Sequence, residues 1–146
     1  MNSSSTASRR VSTLVAIGTG VLMMAWASLG MSEEIKVKLS GDQEVPPVQT
    51  SASGSGTIRI GDDKTVSGGV RVTGMDSVAA HIHEAPPGKS GPVIVPLTKS
   101  GDGEWSVAKG ARLTDAQYKA FKAGDLYVNV HSKAHKDGEI RGQLKP

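Results

Sequence analysis

The chain contains no cysteine. Disulfides, thiolate catalysis, iron–sulfur clusters, cysteine-type zinc sites and a lipoprotein anchor are excluded together. Aromatic residues are only 3% of the 146, so a core has to be built from Val, Ile, Leu and Ala. Excess charge is also scarce. Of the 17 basic residues, Arg9 and Arg10 precede the first acidic one, leaving 15 against 14 acidic residues in the rest of the chain. Neither a lysine-rich stripe nor an aromatic-interleaved basic patch is present, which excludes a nucleic-acid surface. The sequence has no Gly-x-Ser-x-Gly elbow. Gly88-Lys89-Ser90 is no phosphate loop, because His83 stands where that motif requires glycine.

The only long apolar stretch lies at the start. Arg9-Arg10 is followed by an uncharged run from Val11 to about Leu29, with Ala25-Trp26-Ala27 as a small-residue cleavage signal. Residues 1–29 therefore read as a signal peptide with a mature chain beginning near Ser28. The arginine pair suggests a twin-arginine type, and the alternative is an uncleaved N-terminal membrane anchor. Either places the remaining domain, residues 33–146, outside the cytoplasm, in a bacterial periplasm or secreted. The membrane is touched only through that segment.

Glycine is plentiful, 18 residues, and short β-branched runs alternate with turn signals. Strands are expected at Glu34–Leu39, Gly56–Ile60, Val66–Thr73, Val78–His83, Val93–Leu97, Glu104–Val107, Leu126–His131 and Glu139–Leu144. Gly61-Asp62-Asp63-Lys64 reads as a hairpin turn. One helix is expected from Asp115 to Ala123, where Thr114 and Gln117 have capping-box spacing and Gly124 supplies the C-terminal cap. These elements predict an all-β protein, a Greek-key β-sandwich or barrel with one short helix, in a single domain.

The histidine inventory is His81, His83, His131 and His135. His81 and His83 share one face of a strand, with Ile82 on the other. Leu126, Val128 and Val130 are expected in the core, which places Tyr127, Asn129 and His131 on the opposite, polar face. Ile140 and Leu144 likewise leave Glu139, Arg141 and Gln143 outward. A same-face His-x-His pair joined by imidazoles from the loop after Val130 makes a metal site of His81, His83, His131 and His135. Nitrogen-only ligation favours copper, with zinc as second choice. The competing expectation is a metal-free module that binds an extracellular protein, or a second copy of itself, through a sheet edge or Val45–Val48.

Several segments resemble the CHRD (chordin-type) domain family. They are Leu39-Ser40-Gly41-Asp42-Gln43-Glu44-Val45-Pro46-Pro47-Val48, Ala80-His81-Ile82-His83, Gly91 to Leu97, Ala123 to Ser132 and Gly138 to Leu144. A more distant likeness is to copper/zinc superoxide dismutases, through His81-Ile82-His83-Glu84 and Val130-His131-Ser132-Lys133-Ala134. It implies copper ligation by His81, His83 and His131, a superoxide-dismutase-like or immunoglobulin-like Greek-key fold, and Arg141 as a catalytic residue that attracts the anion. The sequence departs from those enzymes where the bridging histidine belongs, since Gly91-Pro92 leads to Val93. The zinc-ligand cluster is missing as well. Arg141 has a plainer expectation too, an ion pair with Glu139 or Asp137.

Overall fold

A computed structural model describes residues 30–146; the expected signal peptide or anchor at 1–29 lies outside the described residues. The strands are β1 (Ser32–Ser40), β2 (Ser53–Gly61), β3 (Val66–Thr73), β4 (Ser77–Glu84), β5 (Val93–Gly101), β6 (Glu104–Val107), β7 (Leu126–Ser132) and β8 (Ile140–Leu144), with helix α1 at Asp115–Ala123. They close into an antiparallel barrel in the order β1-β2-β3-β6-β5-β4-β7-β8. The meander β4-β5-β6 is flanked by β3 beside β6 and β7 beside β4, so two Greek keys share it. Closure, made between β1 and β8 at the pair Ser40–Arg141, gives every strand among the described residues a neighbour on both sides. Among the described residues no helix is long and apolar enough to cross a membrane.

Period-2 alternation decides which side chains fill the barrel. In β1, Ile35, Val37 and Leu39 are buried while Glu34, Lys36 and Lys38 are not. Ile58, Ile60, Ile82, Val128, Val130, Ile140 and Leu144 are at most 1% exposed and join one core cluster. Trp105 enters the core with its indole N–H satisfied by Ser77 Oγ at 2.9 Å. The helix forms where expected: Thr114 and Gln117 make the reciprocal capping box, and Gly124 caps the other end at φ 81°. Phe121, fully buried, is the helix's contribution to the core.

Strand β5 continues past Pro96 to Gly101 rather than ending at Leu97. The larger correction concerns the outside of β4, β7 and β8. This polar face was expected to meet water, yet every residue of β7 is buried, and so are Glu139 and Arg141. Three loops fold over it. Glu44 reaches Asn129, Lys136 meets His131, and Pro86 and Lys89 meet Arg141. Alternation correctly put these side chains outside the barrel, but the connections make that outside a second, polar layer.

Candidate metal centre

The register of the β4-β7-β8 face builds the site. His81 lies opposite Asn129, and His83 opposite Tyr127. On the far side of β7, Asn129 faces Arg141 and Tyr127 faces Gln143. His131 extends the β7 column by two residues and lies opposite Ala79. Ala79 is small, which leaves room for the His131 ring to lean toward His81.

Each of the three rings offers one ligand atom, and these atoms lie within 4.8 Å of one another. His81 Nδ1 is 3.0 Å from His131 Nε2. His131 donates Nδ1–H to the carbonyl oxygen of Lys136 at 2.8 Å, and His83 donates Nδ1–H to the carbonyl oxygen of Gly91 at 3.0 Å. A carbonyl only accepts, so both rings are fixed in the tautomer whose Nε2 carries the lone pair. His83 Nε2 is buried and has no partner. An orphaned buried acceptor beside two further imidazole nitrogens fits a transition-metal ion, which would supply the missing partner. Burial holds His81 below the usual histidine range, reinforced by His131 and then His83. For His83 burial again leads, partly offset by its hydrogen bond to Gly91 and aided by His131 and Arg141. Both shifts favour the neutral imidazole that a metal requires.

His135 is not in this cluster. Its backbone shapes the turn instead: its N–H donates to Ser132 Oγ at 3.2 Å and its carbonyl accepts from Ser132 and Gly138. That turn presents the Lys136 carbonyl to His131, so the contribution of this segment is an anchor for the His131 ring.

Arg141 is also placed differently from the expectation. It pairs with neither Glu139 nor Asp137, and it is only 2% exposed. Its Nη1 donates to Lys89 O at 2.7 Å, and its Nη2 to Pro86 O at 3.2 Å and Gln143 Oε1 at 2.8 Å. Its Cζ sits 3.5 Å from the centroid of Tyr127. Glu139 accepts from Thr50 Oγ1 at 2.6 Å. Burial alone would raise Glu139, but the hydroxyls of Ser132 and Thr50 and the nearby His135 bring it below the ordinary carboxylate value.

The polar layer also holds residues to which the sequence reading assigns no role in the site. Asn129, 2% exposed, donates from Nδ2 to Glu44 Oε1 at 2.6 Å. Burial pushes Glu44 up to about 7 against the opposing pull of Arg141 and a backbone hydrogen bond from Val45. Glu44 and Arg141 also line a cleft of about 420 Å³ whose rim carries Val45, Pro47 and Pro87. Strand alternation places Tyr127 and Asn129 on the face of His131. No periodicity points to Glu44, which arrives from a loop.

A family model, the CHRD domain, matches residues 35–144. Neither the curated proteins nor the solved structures contain a match. The likeness to copper/zinc superoxide dismutases is thus not borne out by either comparison.

Proposed function

This chain belongs to the CHRD domain family, and we propose that it binds a single transition-metal ion, copper in preference to zinc, through His81, His83 and His131. The observation that carries the reading is the convergence of three imidazoles whose ring tautomers are set by backbone carbonyls, with one lone pair buried and unpartnered. Two nitrogens bound about 2.0–2.1 Å from one ion lie about 2.9 Å apart at a right angle and about 3.3 Å apart in a tetrahedron. The His81–His131 separation of 3.0 Å falls in that interval. The widest spacing, within 4.8 Å, exceeds the roughly 2.9–3.3 Å that two such bonds span at those angles, so capture would draw the outer rings together by up to about 2 Å. Nitrogen-only ligands and the general affinity order favour copper.

The role that follows is storage or handling of copper outside the cytoplasm, after export directed by residues 1–29. Superoxide dismutation has less support, because the guanidinium meant to attract the anion is buried and spent on carbonyls. The deciding experiment adds Cu(II) or Zn(II) to metal-free protein and records stoichiometry and melting midpoint. One ion per chain with a raised midpoint is expected, since a ligand of the native state at 100 times its Kd adds about 2.7 kcal/mol. No binding, or an unchanged midpoint with both metals, leaves the metal-free interaction module.

A further inference from the structure

Arg141 is a buried cation without a carboxylate in contact, an arrangement that costs solvation and is kept only where the donors are well used. Its donors hold one loop. Nη1 and Nη2 take the carbonyls of Lys89 and Pro86, while Gln143, itself fixed by Nη2, donates to the carbonyl of Ala85 at 2.9 Å. The loop leads straight to Gly91, which is gripped at both ends: its N–H donates to Tyr127 Oη at 3.2 Å, and its carbonyl accepts His83 Nδ1–H. A side chain would not fit there, since a Cβ on Gly91 would come within 1.8 Å of Glu84 O.

A second path runs through the rings. Tyr127 stacks on His83 with centroids 4.9 Å apart and planes 11° from parallel. Strands β4 and β8 flank β7, so His83 reaches Tyr127 from one flank and Arg141 from the other. The imidazole is therefore confined by a flat ring against its plane and by a carbonyl against its Nδ1.

We infer that Arg141 is a positioning residue for the metal centre: through Tyr127 and the Ala85–Gly91 loop it fixes the plane and tautomer of His83, so that Nε2 is presented to the ion. The inference rests on the metal-binding reading, but its first test needs no metal. Nitrogen-15 spectra of the histidine rings in metal-free protein should show His83 as the Nδ1–H tautomer. Arg141→Met and Tyr127→Leu should both mix the His83 tautomers, while His131, held by Lys136 O, keeps its own. In Cu(II) titrations the same variants should lose about 10–100-fold in affinity, the usual cost of losing a group that orients a ligand. Tyr127→Phe, which keeps the ring plane and loses only the Gly91 N–H acceptor, should lose less. If Arg141→Met does not fold, Arg141→Lys, with its charge kept but its fork lost, tests the same path beside Tyr127→Leu. Wild-type protein that binds Cu(II) while these variants keep both the tautomer and the affinity overturns the inference alone. Wild-type protein that binds neither Cu(II) nor Zn(II) overturns the metal reading.

Discussion

His131 Nδ1 lies 2.8 Å from the carbonyl oxygen of Lys136, and that one hydrogen bond decides which nitrogen the ring offers to its neighbours. The proton is held on the loop side, so Nε2 faces His81 as an acceptor at 3.0 Å. In the metal-free chain His81 supplies a proton to that contact. An ion bound between the two rings would replace that hydrogen bond, and His81 would then keep its proton on Nε2.

The cluster separates the histidines by role. His81→Ala, His83→Ala and His131→Ala should each weaken Cu(II) binding by more than the 10–100-fold typical of an orienting group. His135→Ala should leave it unchanged, because only the backbone of His135 shapes the turn that holds the Lys136 carbonyl against His131. Calorimetric titration of the four variants checks both halves.

Metal affinity should fall on acidification, with the fall displaced below the ordinary histidine range. His81 and His83 are held low chiefly by burial, so protons begin to compete only once the pH drops beneath the normal value of 6.5. The same depressed values cost the fold nothing above 6.5 and destabilise it as pH falls from 6.5 through the folded-state values, where the unfolded chain takes up protons that the native rings resist. Between pH 8 and pH 5 the apparent Kd should rise while the melting midpoint falls.

Glu44 works in the opposite sense. Its folded value near 7 lies above the ordinary 4.5, so between those limits the native state keeps a proton that the unfolded chain releases. Its effect on stability is neutral below about pH 4.5 and becomes increasingly unfavourable as the pH rises to 7, reaching at most about 3 kcal/mol. Glu44→Gln retains an acceptor for Asn129 and removes the titration. The variant should match wild type near pH 4 and melt higher at pH 8.

Gly138 has φ +127°, and a Cβ there would lie 2.1 Å from Asn129 Nδ2 and 2.7 Å from Glu44 Oε1. Gly138→Ala should therefore destabilise the protein by about 1–3 kcal/mol, from overpacking and an unfavourable backbone region. The Asn129–Glu44 bond should loosen with it. Chemical denaturation gives the first number, and the pH dependence of Glu44 in the variant, shifted back toward ordinary values, gives the second.

Much of this was legible in the chain itself. Strand alternation located Ile35, Val37, Leu39, Val128 and Val130 inside the barrel. Local chemistry at Thr114, Gln117 and Gly124 gave the helix its limits, because caps are interactions among near neighbours. His81 and His83 were paired by period 2 alone. Local patterns could not distinguish His131 from His135. Both belong to one short segment, but His131 is the end of a strand whose register is set by β4, whereas His135 sits in a turn.

The sequence by itself determined the alternation, the turn chemistry and the histidine inventory, since each depends on residues close together in the chain. Only the tertiary structure decided that the outer face of β4, β7 and β8 is covered, because loops distant in sequence supply the carbonyls and carboxylate that satisfy it. For the same reason Arg141 could not be assigned from spacing. Its partners, Pro86, Lys89 and Tyr127, are brought to it by the pairing of β4, β7 and β8, and a buried guanidinium takes its role from whatever acceptors surround it.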